Sequence, residues 1–184
     1  DFLPALMLKG EVLAFKRLWV DALEIFDRIL AMEPRASKAH YFKALAHLSK
    51  DEVQLAKTSL NRAIELNPKE RRAKMILADL ALKQRDFDTA ETLCQEVLGE
   101  LPGSYQANSI MGRVHLARRQ VEDAKPYFDK MIALQPKNPQ GYFQMGAVQR
   151  LKKDDAGALA SFEKALALNP KRLDVFAQII GIHS

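Results

Sequence analysis

The sequence predicts an all-α fold in which pairs of helices stack one after another into a solenoid. The main evidence is a series of five prolines, each of which stands 34 residues from the next. They are Pro34, Pro68, Pro102, Pro136 and Pro170. A fixed period of roughly 20–50 residues is typical of stacked repeats. Within each period, apolar residues recur every three or four positions in two helix-length stretches, and neither helix could bury its apolar face alone.

Three further series of residues keep the same register. The first series has a tiny residue at Gly10, Ala44, Ala78, Gly112 and Gly146. The second has alanine at Ala22, Ala56, Ala90, Ala124 and Ala158. The third is mostly bulky, at Phe26, Leu60, Cys94, Phe128 and Phe162. Because small side chains let helices approach closely, the first two series predict tight pairing of the two helices in each unit.

These series, with the stretches AIELNP (63–68) and ALALNP (165–170), resemble the tetratricopeptide repeat (TPR). The resemblance implies a right-handed α–α solenoid of helix-turn-helix units, as a single array over residues 1–184. The expected units are about 3–36, 37–70, 71–104, 105–138 and 139–172, with a partial sixth at 173–184. We expect a fragment of a longer protein, because the apolar last helix lacks the polar outer face that terminal repeats carry.

Prolines and capping residues predict where the helices end. Each repeat proline is expected to follow the last turn of a second helix, which it cannot continue. Short polar side chains that can accept hydrogen bonds from the first turn of a helix predict the helix starts. The expected N-caps are Ser37, Asp86, Ser104, Asn138 and Asp154. Pro126 falls inside a second helix, where we expect a local bend.

The composition is that of a soluble globular chain, with 48% hydrophobic and 28% charged residues. No apolar run reaches the length of about 18 residues that a membrane span needs, and no targeting leader is visible. The sequence has no glycine-rich phosphate loop, no His-Glu-x-x-His helix and no Gly-x-Ser-x-Gly elbow. We therefore expect no enzyme activity, no catalytic residue, no cofactor and no metal.

The single cysteine and three histidines have structural explanations. Cys94 lies in the bulky series, which predicts a buried, inert thiol. His47, His115 and His183 share one register but stand 68 residues apart, too far along a solenoid to bind one ion together. We expect them to pack between helices with a satisfied ring nitrogen.

The resemblance also implies a concave groove lined by first helices, whose non-packing positions would contact a protein or peptide. The candidate groove residues are Lys38, Tyr41, Leu45, Leu48, Arg72, Met75, Asp79, Leu82, Arg113, Phe143 and Arg150. The N-terminal half of this set is apolar with a basic edge, which favours a helix or an extended peptide as the ligand. Phe42, Ile76 and Ile110 are equally consistent with packing between neighbouring first helices.

Two ligand classes are not favoured. Some TPR domains bind the C-terminal carboxylate of chaperones through a clamp of Lys, Asn, Asn, Lys and Arg, and here only Arg72 matches that clamp in type. Nucleic acid is a minor hypothesis, prompted by the net charge of +5 and by helical-repeat RNA readers with similar periods. A single-strand binder would interleave exposed aromatic residues with its basic ones, whereas the aromatic residues here mostly occupy packing positions.

The main functional hypothesis is a scaffold that binds another protein. Its overall style is similar to bacterial TPR proteins of envelope and secretion systems. A second hypothesis is the substrate-docking region of a larger enzyme. A third is self-association, as a homodimer, through the apolar last helix. Its candidate residues are Val175, Phe176, Ile179 and Ile180.

Overall fold

The computed structural model describes residues 2–183, which form eleven α-helices and no strand. The helices of the first three units are α1 (Phe2–Phe15), α2 (Trp19–Met32), α3 (Ser37–Ser49), α4 (Val53–Leu66), α5 (Arg71–Lys83) and α6 (Phe87–Glu100). The remaining helices are α7 (Tyr105–Ala117), α8 (Val121–Leu134), α9 (Pro139–Leu151), α10 (Asp155–Leu168) and α11 (Leu173–His183). The all-α prediction is therefore confirmed, with two helices in each of the five full units and one in the sixth.

The repeat register fixes both turns of each unit. Each repeat proline lies two residues beyond the end of a second helix, as Pro34 does after α2. The turn from a first to a second helix always contains one residue in the left-handed backbone region, with φ of 60–62°. These residues are Arg17, Asp51, Arg85, Arg119 and Lys153. None is glycine, although this conformation costs other residues roughly 1–2 kcal/mol.

Four of the five expected N-caps are confirmed. Ser104, Asp86 and Asp154 each accept a hydrogen bond from the backbone N–H three residues later. Asn138 accepts one from the N–H of Gln140. Ser37 differs, because it lies inside α3 and its hydroxyl instead donates to the carbonyl of Ala63 at 2.9 Å.

The chain also divides into two compact units that are each larger than one repeat, and their boundary lies inside α5. From here on, unit 1 means residues 1–77 and unit 2 means residues 78–184, whereas the 34-residue units are called repeats or full units. In unit 1, α2 supplies the fully buried Phe26 and Ile29, against which Ala39 of α3 packs. In unit 2, the same arrangement recurs where Phe128 of α8 packs with Val148 of α9. The second helices α2, α6, α8 and α10 each contact the first helix that follows them.

The tiny and bulky series meet inside each helix pair. A Cβ atom on Gly112 would lie 2.4 Å from the ring of Phe128, and one on Gly146 would lie 2.5 Å from the ring of Phe162. Glycine stands opposite phenylalanine in the pairs Gly10–Phe26, Gly112–Phe128 and Gly146–Phe162, and alanine opposite a smaller side chain in Ala44–Leu60 and Ala78–Cys94. The two series thus compensate one another in size.

Polar side chains fasten the turns of several repeats. His40, Asn108 and Tyr142 occupy one register position, and each donates a hydrogen bond to the carbonyl of the proline six residues earlier. His47 Nδ1 lies 2.7 Å from a carboxylate oxygen of Glu52, and His115 Nδ1 lies 3.0 Å from the amide oxygen of Gln120. The prediction of a satisfied ring nitrogen is confirmed for both histidines, while the side chain of His183 lies outside the described residues.

Cys94 is fully buried, as predicted. Burial raises the pKa of its thiol to about 12, with a further contribution from the charge of Glu91. The thiolate is the reactive form of cysteine, so this side chain is inert at neutral pH.

Candidate functional site

An apolar pocket of about 440 Å³ opens in unit 1 where α1, α2 and α3 meet. Its lining residues are Glu11, Val12, Ala14, Phe15, Trp19, Phe42 and Leu45. Phe15 is 90% exposed, so its ring is available to a ligand at the edge of the pocket. We call this site the apolar pocket.

The wall of the apolar pocket is held in place by aromatic packing. The ring of Phe42 stacks on the buried ring of Phe26, with centroids 5.2 Å apart and planes within 6°. Tyr41 meets the other edge of Phe42 in a T-shaped contact at 5.2 Å. Phe42 therefore both packs between helices and lines the pocket, and its fixed position means that little ordering is needed when a ligand binds.

A second cavity, of about 270 Å³, shares Phe42 with the apolar pocket and is mostly polar. Its lining residues are Ser37, Lys38, Tyr41, Phe42, Asn67, Glu70 and Arg72. Burial raises the pKa of the Tyr41 phenol, although the Arg72 guanidinium, which is hydrogen-bonded to it, acts in the opposite direction. Lys38 forms an ion pair with Glu11 at 2.7 Å. We call this site the polar cavity.

The predicted groove residues of unit 1 fall into three groups. Lys38, Tyr41 and Arg72 line the polar cavity, and Leu45 lines the apolar pocket. Leu48 is half-buried. Met75 was expected to contact a ligand, but its side chain is only 3% exposed and offers almost no contact surface. This flexible apolar side chain is packed inside the protein instead.

The predicted groove residues of unit 2 are mostly engaged with one another, with Arg172 before α11 or with α11 itself. Asp79 accepts from Arg113 at 2.9 Å, and hydrogen bonds from Lys83 and Arg113 lower the pKa of Asp79 against the opposing effect of burial. The Arg172 guanidinium lies 4.5 Å from the ring centroid of Phe143.

Of the two remaining groove residues of unit 2, one has a partner within the chain and the other is buried. Arg150 donates to the side-chain oxygen of Gln178 at 2.8 Å, so it also has a partner within the chain. Leu82 is only 8% exposed, so the expectation that it meets a partner is corrected. Polar contacts thus join α5 to α7 and α9 to α11 on the first-helix face of unit 2, and we call these contacts the ladder.

The candidate self-association residues on α11 split between core and surface. Val175 is fully buried against α10 and cannot contact another chain, which corrects its assignment. Ile179 is half-buried and packs on the same cluster. Phe176 is exposed, and Ile180 is 65% exposed.

Several residues of the pocket and the ladder were not predicted from the sequence. Glu11 and Ala14 stand one repeat before Leu45 and Leu48, so extending the groove register into the first repeat would have found them. Arg172 and Gln178 stand four repeats after Ala36 and Phe42, which are not among the candidate groove residues, so the groove register would not have found them. Phe15 and Trp19 flank a turn and carry no register signal that marks them as pocket residues.

No helix within residues 2–183 is both long enough and apolar enough to span a membrane. Over the same residues, no group of three or more His, Cys, Asp or Glu side chains could hold a metal ion.

The fold and the first-helix sites define a helical-repeat protein built from helix pairs. A family model described as a tetratricopeptide repeat matches residues 19–80, and one described as the TT21 fifth ARM repeats domain matches residues 71–183, more than half of the chain. Armadillo-type units are roughly 40–47 residues long, whereas a helix pair every 34 residues is the TPR unit. The chain belongs to the tetratricopeptide repeat family.

Several solved structures share this fold. MamA from Desulfovibrio magneticus RS-1, residues 41 to the end, has a TM-score of 0.82 and 18% identity over 94% of this chain and 97% of its own. PilW, described as a widely conserved type IV pilus biogenesis factor, has a TM-score of 0.86 and 16% identity over 99% of this chain and 84% of its own. YrrB, described as a TPR protein with an unusual peptide-binding site, has a TM-score of 0.78 and 16% identity over 94% and 89%. No curated protein sequence matches significantly.

Proposed function

We propose that this chain is a protein-interaction module that binds a peptide segment of its partner across the apolar pocket and the polar cavity of unit 1. The observation that carries this proposal is the shared wall at Phe42, which joins an open apolar pocket to a cavity with cationic groups. The likeness to YrrB, which is described as having a peptide-binding site, supports the same class of ligand.

The two cavities specify the chemistry of the peptide. A bulky apolar side chain fits the pocket between Phe15, Phe42 and Leu45, where it would gain roughly 1.5–3 kcal/mol from burial. A carboxylate next to it in sequence could accept a charge-assisted hydrogen bond from Arg72, and one from Lys38 in exchange for the Lys38–Glu11 ion pair. The preferred ligand is therefore an apolar residue adjacent to an acidic one.

The experiment selects peptides from a random library on the wild-type chain and measures the affinity of the selected peptides by fluorescence anisotropy. Leu45→Glu places a charge in the apolar pocket and should weaken binding by about tenfold or more. Leu55→Glu is the matched control, because Leu55 is an exposed leucine on α4 that lies outside both cavities. Selected peptides that lack an apolar–acidic pair, or that bind Leu45→Glu as tightly as wild type, would contradict the proposal.

The proposal also concerns the kind of cellular assembly to which the partner belongs. PilW is described as a type IV pilus biogenesis factor, and this supports a search for the partner among bacterial envelope assemblies. The enzyme-docking and RNA-binding hypotheses gain no supporting contact from the described residues.

Self-association through α11 is the second candidate function, favoured by one specific observation. Ile180 stands at the register position that is Gly or Ala in all five full units, and a branched side chain there would clash with a second helix of the usual kind. Ile180 and Phe176 form an exposed apolar stripe on α11, and a helix other than a second helix of the usual kind should cover it. The α11 helix of a second copy of this chain fits that role. Light-scattering mass should fall from dimer to monomer with Ile180→Gln and stay unchanged with Val20→Gln, an exposed valine on α2. A wild-type monomer would refute this candidate.

A further inference from the structure

A cleft of about 480 Å³ opens between α3 and α4, within the second repeat. It shares no lining residue with the apolar pocket or the polar cavity. One repeat precedes it in the chain and another follows it, so the cleft does not arise from a chain end. We call this site the second-repeat cleft. Its lining residues are His40, Lys43, His47, Leu55, Thr58, Ser59 and Arg62.

The repeat register shows why the second-repeat cleft is open. The position of Ser59 holds a bulky side chain in three other repeats, at Ile25, Leu93 and Tyr127. Serine is much smaller than any of these, so it leaves empty the space that the bulky side chain takes in those repeats. The cleft is therefore the place of a side chain that the second repeat lacks.

The fourth repeat shows how an aromatic ring fills this space. There the ring of Tyr127 stacks on the imidazole of His115, with centroids 5.4 Å apart and planes inclined at 15°. His47 stands two repeats before His115, and in both histidines Nδ1 contacts the side chain five residues later. His47 is therefore held in the same way as His115, but no aromatic ring within residues 2–183 stacks on it.

The cleft also contains a polar group that has no partner. Ser59 is 7% exposed, and its hydroxyl makes no hydrogen bond to any other residue in the range 2–183. At the same register position in the fifth repeat, Ser161 is hydrogen-bonded to Gln149 at 2.6 Å. A buried hydroxyl without a partner is unfavourable, so a ligand that forms a hydrogen bond with Ser59 would be preferred over one that does not.

The cationic side chains of the cleft already have partners. Lys43 forms an ion pair with Asp27 at 2.6 Å, and Arg62 forms one with Glu65 at 2.9 Å. An anionic ligand would have to compete with these carboxylates, whereas a neutral ring would not. The cleft therefore favours a neutral aromatic ring with a hydroxyl group over an anion.

We propose that the second-repeat cleft binds a phenolic ring, which stacks on the imidazole of His47 and forms a hydrogen bond with the hydroxyl of Ser59. The ring enters with its hydroxyl leading, so that this group reaches Ser59, and it occupies the space that Tyr127 fills in the fourth repeat. A tyrosine side chain of a partner protein and a free phenolic compound share this chemistry, and the test distinguishes the two sources.

The test uses p-cresol, which reproduces the tyrosine side chain, and N-acetyltyrosine N-methylamide, which adds a peptide group on either side. Each compound is titrated into the full chain to millimolar concentration, and the ring protons of the histidines are followed by NMR. We expect the His47 ring protons to shift upfield, because they come to lie over the face of the ligand ring. The His115 ring protons should not shift, since that ring is already stacked on Tyr127.

The two compounds identify the source of the ring. Shifts at His47 with both compounds would assign the cleft to a tyrosine side chain, and shifts with p-cresol alone would assign it to a free phenol. No shift at His47 with either compound, or equal shifts at His47 and His115, would overturn the proposal.

Protein variants locate the site. Ser59→Tyr places in the cleft the side chain that stands at this position in the fourth repeat, so it should abolish p-cresol binding and raise the melting temperature by filling a cavity. Ser59→Ala removes only the hydroxyl and should weaken p-cresol binding by about fivefold, while toluene binding stays unchanged. Thr92→Tyr, at an exposed position on α6, is the control and should leave p-cresol binding unchanged.

Three results with these variants would contradict the proposal. The first is p-cresol binding that survives in Ser59→Tyr, and the second is a lower melting temperature for that variant, because the cleft would then not accept the ring. The third is an equal effect of Ser59→Ala on p-cresol and toluene, which would exclude the hydrogen bond to the Ser59 hydroxyl.

Discussion

The size compensation between the tiny and bulky series makes a quantitative prediction for Gly112→Ala. The new Cβ atom would lie 2.4, 2.5 and 2.9 Å from three atoms of the Phe128 ring, against an ordinary contact distance of about 3.4–4 Å. Phe128 is fully buried and packed against Met131 and Val148, so its ring cannot move aside freely. Overpacking of this kind costs roughly 1–3 kcal/mol.

The helix propensity of alanine acts in the opposite direction. Replacing glycine inside a helix stabilises it by about 1 kcal/mol, so we expect Gly112→Ala to lower stability by about 1 kcal/mol net. Gly99→Ala is the matched control, since a Cβ there meets nothing within 4 Å, and it should raise stability by about 0.5–1 kcal/mol. The difference between the two variants is therefore about 2 kcal/mol.

The assay is urea unfolding followed by circular dichroism, with the melting temperature as a second readout, because repeat arrays need not unfold in two states. Phe128→Leu should partly rescue Gly112→Ala, since the chain already pairs Ala44 with Leu60 in another repeat. A double-mutant cycle would then give a favourable coupling of about 1 kcal/mol. Gly112→Ala as stable as Gly99→Ala would refute the close-packing argument.

Three further predictions concern single residues. Arg119→Gly should raise the melting temperature, because glycine adopts φ near 61° without strain, and the net gain is about 0.5–1 kcal/mol. Asp79→Asn should destabilise the protein at pH 6, and this penalty should shrink as the pH falls below about 4. The lowered pKa of Asp79 means that its contribution is present above about pH 4 and is lost as the pH falls through the folded-state value. Cys94 should react with a thiol reagent at pH 8 only in denaturant, since burial raises its pKa to about 12, and fast reaction of the folded protein would contradict this.

The sequence alone predicted the helices well because the signals for them are local. The apolar periodicity and the repeat prolines predicted two helices in each full repeat, and four of the predicted N-cap side chains are N-caps in the structure. Ser37 failed as a cap because its hydroxyl could reach the carbonyl of Ala63, a contact between residues that are far apart in sequence. Pro126 was expected to bend its helix, and α8 continues through it.

The candidate site was harder to predict because it depends on contacts between repeats. Met75 and Leu82 occupy groove register positions yet are buried, so register alone does not decide exposure. Asp79 and Arg113 stand one repeat apart at groove register positions, yet they bind one another, and this contact leaves no signal in the sequence of either repeat. The apolar pocket also needs Phe15 and Trp19, which come together only when α1 packs beside α2.

The contrast between the two units supports peptide binding in unit 1. A ligand on the first-helix face of unit 2 must replace contacts such as Asp79–Arg113 and Arg150–Gln178 with its own. Exposed ion pairs contribute only about 0–1 kcal/mol each, so such an exchange gains little. In unit 1, an apolar side chain can enter the pocket beside Leu45 without breaking any of these contacts and gains roughly 1.5–3 kcal/mol. Affinity should therefore respond more strongly to Leu45→Glu than to Arg113→Ala, and the larger effect for Arg113→Ala would move the binding site to unit 2.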